Sequence, residues 1–168
     1  QLSEFGKKFP IIRESFSYYV GLAENAITIV KTINQPKTTI SHRRLYMHST
    51  LFDLYNPLNF IMDSKVRDVA EYIKDCFFHN RNPMDIIQFY FQYQQLQCEE
   101  YQLLFARFLF PSYYFDCYEQ VIEHGHNEKE LLAITLKNGE YETILKYLYQ
   151  QVLYHCYLPE MLWLKKNS

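Results

Sequence analysis

Apolar residues recur every three or four positions along most of this chain, which is the period of an amphipathic helix. The first such run follows Pro10 and predicts a helix that continues to about Asn34. Comparable runs fill most of the chain after Ser64, separated by prolines, glycines and residues that cap helices. The pattern predicts a mainly α domain with six or seven helices.

The helical pattern is interrupted between Thr38 and Asp63. The run Thr38-Thr39-Ile40-Ser41 is rich in β-branched residues, which favours a short strand. From Thr50 to Asp63 no helical period holds, and Pro57 interrupts any long strand. We therefore expect one irregular or β segment inside a single helical domain that covers residues 1–168.

Individual residues place some of the helix boundaries after this segment. Ser64 is a candidate cap for the helix that follows it, and Gly125 is a candidate C-terminal residue of a later helix. Asn127 and Glu130 have the spacing of a capping box for a short helix, which Gly139 is expected to end.

Composition and charge narrow the classes of function. The net charge of −2 provides no basic surface for nucleic acid, so we expect no nucleic-acid partner. No apolar run approaches the roughly 18 residues of a membrane span. Sixteen tyrosines and thirteen phenylalanines are an unusually large aromatic share, and core filling explains most of it. The runs 89–93 and 112–115 are aromatic all round, however, so some rings must be exposed. Exposed rings favour protein association, including a homo-oligomer.

The four cysteines do not form a metal-binding pattern. Cys76, Cys98, Cys117 and Cys156 are far apart in the sequence, without a Cys-x-x-Cys pair. We expect no metal site, and we expect all four to be buried, reduced thiols on apolar helix faces.

The segment from His42 to Asp68 contains an ordered set of polar residues. It begins with His42-Arg43-Arg44-Leu45, and Ser49 stands five residues after Arg44. It continues with Asn56, with Asp63 at the end of an apolar run, and with Asp68-Val69-Ala70 at the start of a predicted helix.

This order resembles the catalytic segment of the aminoglycoside phosphotransferase and choline kinase family. There a His-Gly-Asp-Leu loop is followed by Asn five residues after the Asp, by a metal-binding Asp and by an Asp-Leu-Ala helix start. Phosphoryl transfer uses such groups to orient the hydroxyl and to hold Mg²⁺. In this chain the corresponding positions are Arg44, Ser49 and Asn56, while His42 and Asp68 match.

Within that family the chain resembles the bacterial spore coat-associated branch, the CotS and YutH type. The stretches 67–73 and 103–111 add to this resemblance. It implies the helical C-terminal lobe of a protein-kinase-like fold, with the N-terminal β lobe absent from this chain. It also implies a role in sporulation, in the mother-cell cytoplasm and then in the spore coat, with other spore coat proteins as partners.

The replaced residues change the expected chemistry. Two carboxylates become one arginine and one neutral amide, so the site repels Mg²⁺ instead of attracting it. Arginine cannot serve as a general base because its pKa lies above about 12. We therefore expect a pseudokinase with no catalytic residue and no cofactor, in which His42, Arg44, Ser49 and Asn56 are degenerate equivalents.

Two further roles are predicted for residues of the same segment. Asp68 is expected to accept hydrogen bonds and so to brace the backbone near His42, as the resemblance implies, or simply to be an acid in the first turn of a helix. Arg43 and Arg44 are candidates for binding an anion, because guanidinium groups suit bidentate recognition, or are merely solvated.

Two other classes of function remain open. The first is a small-molecule phosphotransferase that uses ATP and Mg²⁺, with Asn59 or Asp63 binding the metal and Asp53 acting as the base. The second is a helical protein-binding module without kinase ancestry, which two packed helices between His42 and Asp68 would favour.

Overall fold

The fold is mainly helical, as the apolar periodicity predicts. The computed structural model describes residues 6–34, 37–43, 45, 46 and 48–165, with only the backbone of Lys165. Its α-helices are α1 (Pro10–Val30), α2 (Leu51–Tyr55), α3 (Arg67–Phe78), α4 (Met84–Tyr93), α5 (Cys98–Leu109), α6 (Ser112–His124), α7 (Lys129–Leu136), α8 (Asn138–His155) and α9 (Leu162–Lys165). A short 3₁₀ helix spans Pro57–Asn59, and the strands are β1 (Thr39–His42) and β2 (Phe60–Asp63).

Helix α5 lies at the centre of the core. It is buried on nearly every side, and Phe105 and Leu109 are completely inaccessible to solvent. Helices α1, α3 and α8 pack around it. A helix that is buried on nearly every side needs such neighbours, so α5 organises the domain.

The strands β1 and β2 form a two-stranded antiparallel sheet beside α3. Ile40 pairs with Met62, and His42 pairs with Phe60. Ser41 points towards the body of the protein and is buried, whereas Ile40 and Met62 are 69% and 66% exposed. The predicted strand is confirmed, displaced by one residue towards His42.

The connection between the strands contains more helix than the sequence predicts. Thr50 and Asp53 close a capping box at the start of α2, and Asn56 caps the 3₁₀ helix by accepting from Leu58 N–H at 3.1 Å. Neither short helix has a buried residue. Apolar periodicity therefore gives no signal here, because capping side chains define these helices.

Two predicted boundaries were wrong near the sheet. Helix α1 ends at Val30, four residues earlier than predicted. Ser64 does not cap α3, whose first residue is Arg67; its Oγ instead accepts a bond from Val66 N–H at 3.4 Å. A turn at residues 31–32 follows α1, and a turn at residues 65–66 precedes α3.

The boundaries after α6 were predicted with mixed success. Gly125 ends α6 with a φ of 70°, which confirms that prediction. Asn127 accepts from Lys129 N–H at 3.0 Å, and the N-cap of α7 is Glu128 rather than Asn127. Gly139 lies inside the first turn of α8 and does not end α7.

The cysteines are less uniformly buried than the sequence predicts. Cys76 is buried, Cys117 and Cys156 are partly buried, and Cys98 is exposed. All four thiols are unbridged. Within the described part of the chain, every helix is too short or too polar to cross a membrane.

Candidate functional site

The end of β1 is tied to the start of α3 by Asp68. Its Oδ1 accepts from the backbone N–H of His42 at 2.9 Å, and its Oδ2 lies 2.7 Å from His42 Nδ1. About one quarter of each side chain is exposed to solvent. This is the contact that the predicted bracing role requires, and the role itself stays a prediction about stability.

The imidazole of His42 faces an acceptor at each ring nitrogen. Nδ1 points to Asp68, and Nε2 lies 3.2 Å from the carbonyl oxygen of Leu54. Both contacts are hydrogen bonds only when both nitrogens carry a proton. The bond to Asp68 raises the pKa of His42, burial opposes the rise, and the Leu54 carbonyl adds to it. These contacts favour the protonated form of His42 and occupy both of its ring nitrogens.

Arg67, the first residue of α3, also binds the end of β1. Its Nε donates to the carbonyl of His42 at 3.0 Å, and its Nη2 donates to the carbonyl of Arg43 at 2.8 Å. Its Nη1 donates to Asp63 at 2.8 Å. One guanidinium therefore connects β1, the following loop and β2.

The carboxylate of Asp63 is surrounded by donors. Besides Arg67, it accepts from Ser64 N–H at 2.6 Å and from Arg107 Nη2, which comes from the end of α5. Burial alone would raise the pKa of Asp63, but the bonds from Ser64, Arg107 and Arg67 outweigh it and lower that pKa. Two arginines on one carboxylate leave little negative charge for a metal ion.

The other candidate residues make local bonds within the connection between the strands. Ser49 Oγ accepts from Tyr46 N–H at 3.0 Å, and Asn56 caps the 3₁₀ helix. Asp53 accepts from Thr50 N–H and Oγ at 2.8 and 2.7 Å, and these bonds lower its pKa. Among the residues that the structure describes, no group of three His, Cys, Asp or Glu has the arrangement of a metal site.

A cleft of about 530 Å³ opens beside this network. Arg43, Arg67 and Arg107 line it together with acidic residues that include Glu71 and Asp116. The cleft therefore carries both positive and negative side chains, and it is not a positively charged site for an anion. Arg44, the other predicted anion-binding residue and the proposed equivalent of the catalytic Asp, lies outside the described residues.

Three basic residues of this region were not identified from the sequence. Arg67 has an i, i+4 spacing from Asp63, which is a usable signal for an ion pair. Arg107 is 44 residues away from Asp63, so no local pattern reveals the pair. Lys74 is buried, donates to Arg107 O at 3.1 Å and pairs with Glu71 at 3.0 Å. Burial lowers the pKa of Lys74, and Glu71 opposes that shift.

Comparisons with known proteins agree with the resemblance. The profile of the family described as "Spore coat putative kinase YutH" matches residues 2–148. The endospore coat-associated protein YutH of Bacillus subtilis (strain 168) is 30% identical over 177 residues, which cover 92% of this chain and 52% of that relative. The chain thus spans about half the length of that relative. No solved structure matches significantly.

Proposed function

The chain belongs to the YutH family of spore coat proteins, and from this premise we propose that it is a pseudokinase lobe acting as a structural or interaction component of the bacterial spore coat. Its fold is proposed to be the C-terminal lobe of a protein-kinase-like protein. The order of strand, connection, strand and helix supports this, with His42 at the end of β1 and Asp68 in the first turn of α3.

The state of Asp63 carries the proposal that phosphotransfer chemistry is lost. This carboxylate has three donors around it, two of them guanidinium groups that neutralise its charge. A Mg²⁺ ion requires carboxylates with free lone pairs, since it gains most of its binding energy from negative oxygens. The same reasoning applies to Asp53, whose Oδ2 is used inside a capping box.

His42 and Asn56 support the same conclusion from the side of proton transfer and metal binding. Both ring nitrogens of His42 are already engaged, by Asp68 and by the Leu54 carbonyl, and Asn56 Oδ1 already accepts from Leu58 N–H. The alternative of a working phosphotransferase would need the bonds to Asp63 and Asp53 to break. It would also need Asn59 to serve as a metal ligand although its Nδ2 donates to the carbonyl of Asp53 at 3.0 Å. The alternative of a helical binding module is disfavoured, because the segment from His42 to Asp68 contains β2 and two short helices without buried residues, and not two packed helices.

The exposed face of the sheet supports a role in protein association. We call Ile40, Phe60 and Met62 the apolar hairpin face, since they share one side of the sheet. Ile40 and Met62 are more than 60% exposed. Exposed apolar groups in such a position favour contact with other proteins, here other spore coat proteins.

Calorimetric titration with ATP, in the presence and absence of Mg²⁺, tests the loss of phosphotransfer chemistry. We expect no heat of binding from the native chain. The double variant Arg44→Asp, Asn56→Asp restores both acids, and Arg43→Asp is a control that changes the charge of the neighbouring residue. Micromolar, Mg²⁺-dependent binding by the native chain would refute the proposal, and the search would turn to a phosphoryl acceptor.

Localisation in sporulating cells tests the coat role separately. We expect a fluorescently tagged chain, produced in sporulating Bacillus subtilis, to appear in the mother-cell cytoplasm and then in the coat. Ile40→Lys with Met62→Lys should reduce its incorporation into the coat. Leu136→Lys is the matched control, because Leu136 is 77% exposed on α7, outside the sheet. A tagged native chain that stays dispersed would contradict the coat role.

A further inference from the structure

Two cysteines that are 58 positions apart in the sequence meet where α5 begins and α8 ends. Cys98 is the first residue of α5, and Cys156 immediately follows the last residue of α8. The Cys98 thiol is close enough to raise the pKa of the Cys156 thiol. The Sγ of Cys156 also lies 3.5 Å from the carbonyl oxygen of Val152.

Contacts of the neighbouring residues hold the two chain segments together. Tyr101 and Gln102 follow Cys98 by three and four positions, so they lie on the same side of α5 as Cys98. The Tyr101 ring stacks on His155 with centroids 4.4 Å apart and planes 2° from parallel. Gln102 Nε2 donates to the carbonyl of Tyr157 at 2.8 Å. The residues before and after Cys156 are therefore both fixed against the Cys98 side of α5.

We propose that Cys98 and Cys156 are a site of oxidative modification, where a hydroperoxide converts the two thiols into an intramolecular disulfide that joins α5 to the end of α8. The positions of the chain segments favour this because a disulfide requires two cysteines whose backbones are already close. Neither residue belongs to the network around His42, so the inference stands independently of the proposed function.

The exposure of the two thiols sets the order of reaction. Cys98 is exposed and meets the oxidant first, whereas Cys156 is partly buried. Burial raises the pKa of Cys156 to about 12, and the neighbouring Cys98 adds to the rise. A thiol with such a pKa is a poor nucleophile towards peroxide, so Cys98 is the sulfur that reacts first.

The chemistry balances in two steps. The Cys98 thiolate attacks one oxygen of hydrogen peroxide, which breaks the O–O bond, forms a sulfenic acid and releases hydroxide. The Cys156 sulfur then attacks the Cys98 sulfur, forms the S–S bond and expels a second hydroxide. With the two thiol protons, the hydroxides become two waters. The pair of sulfurs loses two electrons, and the peroxide gains them.

Intact mass and peptide mapping of the full chain, before and after treatment with hydrogen peroxide, test the proposal. We expect a loss of about 2 Da and one cross-linked peptide pair containing Cys98 and Cys156. The disulfide should raise the thermal midpoint by about 5 to 15 °C, and a thiol reductant should reverse the rise.

Serine variants provide the controls. Cys98→Ser and Cys156→Ser should each abolish the loss of mass, while Cys117→Ser should retain it. Addition of about 16 Da or its multiples at Cys98 without a cross-link, or a dimer joined through Cys98, would overturn the proposal. Because the first measurement uses the native chain, failure of a variant to fold does not leave the proposal untested.

Discussion

Replacement of Asp68 by alanine should destabilise the protein appreciably. The change removes the acceptor for His42 N–H at 2.9 Å and for His42 Nδ1 at 2.7 Å. A hydrogen bond to a charged group contributes about 1.5–3 kcal/mol. Since one carboxylate serves both bonds and 27% of its side chain is exposed, solvent screening reduces the sum. We expect a loss of about 2 kcal/mol in the free energy of unfolding.

Urea denaturation and thermal unfolding, followed by circular dichroism, measure this loss. In a domain of this size about 2 kcal/mol lowers the thermal midpoint by roughly 4–8 °C. Asp85→Ala is the matched control, because Asp85 is an exposed acid in the first turn of α4. It tests the helix dipole alone, which contributes about 0.3–1 kcal/mol.

The reasoning would be refuted if Asp68→Ala and Asp85→Ala destabilised the protein equally. Asp68 would then be an ordinary acid in the first turn of a helix, without a bracing role. Asp68→Asn should fall between the native chain and Asp68→Ala, since its amide oxygen can replace one of the two acceptors.

Two further outcomes are expected from other positions. The pKa of His42 is higher in the folded protein than its usual value of about 6.5. The contribution of His42 to stability is therefore complete below about pH 6.5 and is lost as the pH rises through the pKa of the folded state. The difference in unfolding free energy between the native chain and His42→Asn should therefore shrink from pH 5.5 to pH 9 in urea titrations; a constant difference would contradict the raised pKa. Gly125→Ala should cost about 1 kcal/mol, because φ is 70° although a Cβ there meets no atom within 4 Å. Gly21→Ala, inside α1 with equally open space, should stabilise by about 0.5–1 kcal/mol in the same assay; equal effects at the two glycines would refute the backbone argument.

The sequence predicts this fold well where one physical signal dominates. Apolar periodicity identifies α1 and the helices of the second half, and β-branched residues identify β1. The sequence predicts the fold poorly where side-chain capping decides the structure. Helix α2 is an example, because it begins with the Thr50–Asp53 capping box but has no buried apolar residue. Gly139 shows the opposite error, because glycine in the first turn of α8 costs little and is not a helix end.

The candidate site is predictable only in its local half. The order of His42, Asp63 and Asp68 suggests that the two strands and α3 meet, and Arg67 has a recognisable spacing from Asp63. Arg107 reaches Asp63 only because α5 ends beside the sheet, and this depends on the packing of α1, α3 and α8 around α5. Such a contact follows from tertiary structure and not from any motif.

The double attachment of β1 to α3 has a consequence for how the protein folds and opens. A sheet of four residue pairs is too small to be stable by itself. Hydrogen bonds with Arg67 and Asp68, which are adjacent residues of α3, stabilise its end at His42. We therefore expect stable strand pairing to require that the first turn of α3 is in place. Amide hydrogen exchange should show the strands and that turn opening as one cooperative unit.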